Sequence, residues 1–292
     1  MRLPLQIVSS LFLIAMPCST SRGDETRNEK YPLPYPPALG DGRTMVTVRS
    51  DELLRAPDSL REGVSVATTT PEIDFVFYPG QDYPGNPWSV WGDGTAAKGK
   101  YWSAIGDHLS PRGRALLYEY DAESKKLRVL VDVTRFLEDK GAIPEGCRYT
   151  PGKIHSRIEL GRDGWLYYAT HRGSPRTTTD EYGYRGDWIL RTRPGGGETE
   201  IVSTFPIEKH AIPMSLLDPE RLLFYGGTAP GEDASVQDVV FFVWDLEARR
   251  KIFESTGGPK RAAILSRSTG RVFFDGRVFD PRDPTKLERS ER

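Results

Sequence analysis

The sequence is poor in cysteine and histidine and has almost no excess charge. It contains 2 Cys and 4 His among 292 residues, and 40 basic side chains balance 41 acidic ones. Two cysteines cannot build a disulfide framework or a cysteine-based metal centre. A formal net charge of -1 argues against a nucleic-acid-binding protein, which needs an excess of Lys and Arg. We therefore expect a globular protein that does not bind nucleic acid.

The chain also lacks an apolar run long enough to span a bilayer. Residues 3–16 are mostly apolar, follow a basic residue and precede several small ones. A bilayer core needs about 20 apolar residues, whereas this pattern is typical of a secretory signal peptide. We predict a signal peptide over residues 1–21, no membrane span, and export to the periplasm or the extracellular space. Pro17 directly before Cys18 disfavours a lipid anchor.

Turn-forming residues, by contrast, are abundant. The chain has 29 Gly and 23 Pro, and 11% of its residues are aromatic. This composition predicts many short strands joined by tight turns. Residues 22–44 mix charges with a proline-rich run and are predicted to form a flexible linker. The folded domain is predicted to cover residues 45–292.

Three segments of this domain share one order of strand, turn and strand. They begin at Lys153, Lys209 and Lys260; the first two starts lie 56 residues apart and the next two 51. Each of the first two continues into two more strand-like segments, such as 187–193 and 199–204 after the first. Four strands per unit at a period of about 50 residues is typical of the blades of a β-propeller.

We therefore predict an all-β fold, a β-propeller of four-stranded blades with about four to five blades in this chain. The last unit stops after Asp280 without an outer strand. Residues 44–48 and 72–77 are predicted strands that either close the ring or form an incomplete first blade. The same number of blades is also compatible with an incomplete ring that is truncated at the C-terminus. A β-sandwich whose strands recur at similar intervals is the alternative fold.

The repeats resemble those of exported bacterial β-propeller proteins with six or seven blades. The strand segment Ala115–Asp121, a polar turn and the strand segment 127–132 follow one another as they do in many propeller families. The likeness covers roughly 87–280. It is one of fold, to gluconolactonase-like, strictosidine-synthase-like, quinoprotein-like and oligogalacturonide-lyase-like proteins. Because one fold hosts many activities, function must be argued from the site.

The four histidines occupy related positions in the repeats. His155 and His210 are predicted to open the innermost strands of two units, and His108 and His171 to close the second strands of two units. In a propeller these strand ends return to one face, so we predict that all four imidazoles surround one mouth of the channel. Basic residues at matching positions are predicted to make this face positive and to bind the ligand: Lys153, Lys209, Lys260 and Arg261.

Two functions are compatible with such a face. The first is a binding or scaffold protein that recognises a small anionic ligand, an acidic saccharide or a protein partner. The likeness to oligogalacturonide lyases implies the second, a metal-dependent lyase or hydrolase acting on an acidic saccharide. In it a divalent metal is held by His155, His171 and His210, and Lys or Arg binds the substrate carboxylate. A third interpretation is that the histidines and basic side chains of this face make only structural contacts at strand ends.

Overall fold

Antiparallel strands make up most of the regular structure. The computed structural model describes residue 43 and residues 45–80, 87–89, 92–108 and 112–290. The predicted signal peptide, and all of the predicted linker except Arg43, lie outside the described residues. Within the described ranges, no helix has the length and apolar character that crossing a membrane requires.

Twenty strands in the described ranges form five antiparallel sheets. The first sheet is a pair, β1 (Met45–Arg49) with β2 (Glu72–Val76). Sheet I consists of β3 (Pro87–Ser89), β4 (Thr95–Ala97), β5 (Lys100–Asp107), β6 (Leu116–Asp121) and β7 (Lys126–Asp132). Sheet II consists of β8 (Pro151–Ile154), β9 (Glu159–Leu160), β10 (Leu166–Arg172), β11 (Trp188–Thr192) and β12 (Thr199–Thr204).

The two remaining sheets have four strands each. Sheet III consists of β13 (His210–Asp218), β14 (Leu223–Pro230), β15 (Val240–Asp245) and β16 (Arg250–Thr256). Sheet IV consists of β17 (Ile264–Leu265), β18 (Val272–Phe274), β19 (Arg277–Phe279) and β20 (Leu287–Arg289). One α-helix, α1 (Val133–Asp139), follows sheet I, and three short 3-10 helices cover Asp51–Leu54, Pro175–Thr177 and Asp180–Tyr182.

The predicted all-β class and its four-stranded units are confirmed. The expectation that the last unit lacks an outer strand is wrong, because β20 pairs with β19 and places Leu287 opposite Phe279. This strand was missed because it is short and charged, and it joins the sheet through its backbone rather than through an apolar pattern. The two early strands pair with each other as β1 and β2 and are not part of sheet IV.

Successive sheets pack face to face, and strand β10 of sheet II is buried on both sides. In β10, Leu166 and Tyr168 join a cluster shared with sheet I, whereas Tyr167 and Ala169 join a cluster shared with sheet III. All four side chains are almost fully buried. Alternate side chains of a strand point to opposite faces, so a continuous apolar run fits a strand between two sheets. Burying this surface stabilises the stack by about 25 cal/mol per Å².

The innermost strands of sheets II and III lie side by side and run in the same direction. Three hydrogen bonds join residues that are 58 apart: His155 Nδ1 to the Pro213 carbonyl, the Arg157 amide to Ser215 Oγ, and the Leu217 amide to the Glu159 carboxylate. The sequence comparison paired Lys153 with Lys209, 56 residues apart. The hydrogen bonds instead pair residues that are 58 apart, and β13 has a β-bulge between Ala211 and Met214 where it pairs with β14.

Candidate functional site

Polar side chains alternate with buried ones along the innermost segment of sheet II. Lys153, His155 and Arg157 all line a cleft, while the intervening Ile154 and Ser156 are at most 2% exposed. An extended backbone turns every second side chain to the same face. The run from β8 to β9 therefore presents a row of ionisable groups on one face and packs the core with the other.

The cleft consists of two joined cavities of about 380 Å³ and 160 Å³. They share His155, Pro213 and Arg261. The larger cavity adds residues in or directly after β5, β8, β10 and β14 and from the segment before β17: His108, Lys153, His171, Arg172, Gly173, Pro175, Ala229 and Lys260. The smaller cavity adds Asp93, Arg157, Met214 and Ser215. Three of the four histidines and three of the four predicted basic residues thus meet in one cleft.

Positive charge dominates this lining. Five of the described lining residues are cationic: Lys153, Arg157, Arg172, Lys260 and Arg261. Asp93 is the acidic residue among the described lining residues, and its carboxylate lies 2.9 Å from Nε of Arg157. The larger cavity therefore has four cations in its lining and no lining carboxylate among the residues described.

Lys153 lies at the base of the larger cavity and is only 4% exposed. Its Nζ is 2.9 Å from Nδ1 of His108. Burial, and after it the nearby charge of Arg172, lowers the pKa of Lys153 to about 8, against the opposite effect of the Asp187 carboxylate. The ammonium is thus mostly protonated at neutral pH, but it loses its proton far more readily than an exposed lysine.

The imidazoles in the cleft are held neutral. His155 Nδ1 donates to the Pro213 carbonyl at 2.7 Å and His171 Nδ1 donates to the Arg172 carbonyl at 2.6 Å, and the two ring centroids are 5.1 Å apart. Burial, followed by the charge of Lys153, lowers the pKa of all three cleft histidines, that of His108 to about 4. Neutral imidazoles can form hydrogen bonds with a polar ligand, and they do not repel the lysines and arginines of the cleft.

The structure does not bring His210 and Lys209 into this cleft. His210 is 1% exposed, with Nδ1 2.8 Å from Thr228 Oγ1 and Nε2 2.9 Å from the Val236 carbonyl. Lys209 forms an ion pair with Asp180 at 2.7 Å. The 58-residue register explains the difference, because His210 then corresponds to Gly152 and not to His155.

No group of three or more His, Cys, Asp or Glu side chains in the described ranges is arranged to hold a metal ion. The structure therefore identifies no metal ligand among these residues. The predicted divalent-metal site at His108, His155, His171 and His210 stays a prediction.

Sequence reasoning missed two cations of the cleft and one carboxylate beneath it. Arg157 was detectable, because it continues the alternation that begins at Lys153 and His155. Arg172 ends β10 and donates to the Pro230 carbonyl at 2.8 Å, a contact between sheets that no local pattern reveals. The buried Asp187 lacks a sequence signal as well.

Asp187 anchors the strands that carry the cleft. Its carboxylate is fully buried and accepts hydrogen bonds from the hydroxyls of Tyr149 at 2.9 Å, Thr170 at 2.7 Å and Tyr184 at 3.2 Å. Burial raises the pKa of Asp187 to about 6, although the three hydroxyls oppose the shift. At neutral pH this carboxylate places negative charge behind the cations, which lowers the cost of gathering them.

Comparisons with known proteins give a likeness to solved structures only. No family model and no curated protein matches the chain. One matching structure comes from a structural and mechanistic study of two prolyl endopeptidases, with a TM-score of 0.39 and 14% sequence identity. The match covers 77% of this chain and 32% of that chain. The chain therefore spans about a third of that structure's length.

Proposed function

We propose that the four sheets are blades of a β-propeller and that the basic cleft binds a small anionic ligand, an acidic saccharide in particular. The side-by-side innermost strands of sheets II and III support the propeller, because inner strands that surround a channel have this arrangement. Export, to the periplasm or the extracellular space, rests on the sequence pattern of residues 1–21.

The observation that carries the proposal is the charge of the larger cavity. Lys153, Arg172, Lys260 and Arg261 converge there without a lining carboxylate among the described residues. Like charges repel, so gathering them costs free energy that a bound anion offsets. A guanidinium also presents two parallel N–H donors to one carboxylate, which makes arginine well suited to an acidic sugar.

A third cavity of about 460 Å³ has similar size but a different chemistry. Its lining includes Arg112 and Arg114, and each has a carboxylate partner: Glu138 at 3.2 Å and Asp132, respectively. Paired arginines have less charge to offer a ligand than Lys153, Arg172 and Lys260, none of which forms an ion pair with a described carboxylate. We therefore assign anion binding to the cleft of Lys153 and Arg172.

The proposal is tested by calorimetric titration with the methyl glycoside of D-galacturonate, and with methyl galactoside as the neutral control. The two sugars differ in a carboxylate against a hydroxymethyl group, so their difference in affinity isolates the charge. We expect the acidic glycoside to bind at least about tenfold more tightly, and its affinity to fall as salt rises. Equal affinities, or no binding of either sugar, would contradict the proposal.

Binding of the acidic glycoside should also depend on pH. Lys153 has a folded pKa of about 8, so its positive charge is present below that pH and is lost as the pH rises through it. The sugar carboxylate stays ionised throughout this range. We expect affinity to fall by about tenfold between pH 7 and pH 9. The fall should be much smaller in Lys153→Gln, because Glu159, whose pKa burial raises to about 7, accepts a hydrogen bond from the Leu217 amide and lines neither cavity of the cleft. If the affinity of the wild-type protein did not change between pH 7 and pH 9, the charge of Lys153 would not contribute to ligand binding.

A further inference from the structure

Lys153 differs from the other cations of the cleft in its position and its partners. Lys260 and Arg261 are exposed, whereas Lys153 is 4% exposed at the base of the cavity. No ion pair joins Lys153 to a carboxylate in the described part of the chain, and its Nζ contacts the imidazole of His108. Lys153 is thus a buried amine that contacts an imidazole and forms no ion pair with a described carboxylate, unlike an exposed point charge for an anion.

The surroundings of Lys153 combine burial with neighbouring cations. Its side chain is 4% exposed, and Arg172 and Arg261 line the same cavity. A lysine that is desolvated and lies next to another cation is the kind that reacts with carbonyl groups.

The other cations of the cavity determine which chemical group of a bound ligand lies next to the Lys153 amine. Arg172, Lys260 and Arg261 line the same cavity, of about 380 Å³, as the Nζ of Lys153. They suit a carboxylate, so a ligand with a ketone or aldehyde next to its carboxylate would place the carbonyl carbon near Lys153. The size of the cavity accommodates such an oxo acid.

From this geometry we infer that Lys153 forms a reversible imine with oxo acids that bind in the cleft. The inference rests on the proposed anion binding. The amine lone pair attacks the carbonyl carbon, and the carbonyl π electrons move to oxygen, which takes a proton. That proton comes from the attacking nitrogen and passes by way of His108. The nitrogen lone pair then expels hydroxide, which takes the remaining N–H proton and leaves as water. The products are one imine and one water molecule, and no oxidant or reductant is consumed.

The test is reductive trapping of the full chain with pyruvate and sodium cyanoborohydride, which reduces the imine to a stable secondary amine. Peptide mass mapping then locates the adduct. We expect modification of Lys153 at least about tenfold faster than of any other lysine, and protection of Lys153 by the methyl glycoside of D-galacturonate. Lys286→Arg, a change at an exposed lysine that precedes β20 and lies outside the cleft, should leave the adduct unchanged.

Lys153→Arg keeps the positive charge but cannot form the imine, so it should lose the adduct. Thermal unfolding of this variant checks that it folds. Equal modification of many lysines, or an adduct that persists in Lys153→Arg, overturns the inference. Glycoside binding with no pyruvate adduct would overturn the imine alone, whereas failure of both would overturn the anion site itself.

Discussion

A double variant, Lys260→Gln with Arg261→Gln, should bind the methyl glycoside of D-galacturonate about 30-fold more weakly than the wild type. Both residues line the larger cavity from the segment before β17, and both are exposed. At such sites each charged hydrogen bond contributes about 1 kcal/mol, so the loss of two amounts to about 2 kcal/mol. Calorimetric titration at low salt measures the change.

The matched control is Arg249→Gln, which removes an exposed arginine that pairs with Glu200 outside the cleft. It changes the net charge in the same direction but should leave affinity within about twofold of the wild type, since distant exposed charges are screened. Because neither Lys260 nor Arg261 packs in the core, both proteins should unfold at the wild-type temperature. Equal loss of affinity in the control and in the double variant would mean that overall charge, and not the cleft, attracts the ligand.

Gly152→Ala should destabilise the fold by about 3 kcal/mol and abolish binding. A Cβ at Gly152 would lie 2.5 Å from the Cα of Gly173 and 2.9 Å from the Asp107 carbonyl oxygen. Both are backbone atoms, so the strands must separate, and overpacking of this kind costs about 1–3 kcal/mol. Lys153 is the next residue, and its contact with His108 depends on this close approach. Denaturant unfolding and titration with the acidic glycoside measure the two effects.

Gly276→Ala is the control that distinguishes the effect of close packing at Gly152 from the effect of backbone strain. Gly276 has a φ of +71°, and nothing lies within 4 Å of the position that a Cβ would take. Its replacement should cost only about 1 kcal/mol through the strained dihedral and should leave binding unchanged. If Gly152→Ala were no more harmful than Gly276→Ala, the close contact at Gly152 would not be what positions Lys153.

Much of the fold follows from local patterns in the sequence. The segment predicted as strand over 199–204 forms β12 with the same bounds, and the turn-forming residues 194–197 join it to β11. The helix α1 has a local signal as well, because the Asp132 side chain caps its first turn. These elements depend on apolar runs, turn residues and caps, which are local properties. β20 is an exception, because backbone pairing alone places it.

The site is less predictable because it joins parts of the chain that are far apart. His155 and Lys153 line one cavity in the structure, but the sequence pattern paired them with residues of the next unit that lie outside the cleft. His155 lies beside Pro213, and the histidine of that unit, His210, is buried elsewhere. Register between neighbouring sheets depends on hydrogen bonds and a bulge, which a comparison of residue types does not detect.

The most direct test of the account is a crystal structure of the protein with the methyl glycoside of D-galacturonate. The account predicts the carboxylate in the larger cavity, with its oxygens about 2.7–2.9 Å from nitrogens of Arg172 or Arg261, and Lys153 Nζ in contact with the sugar. A sugar bound elsewhere, or bound in the cleft with its carboxylate directed away from these cations, would contradict the claim that this cleft recognises anions.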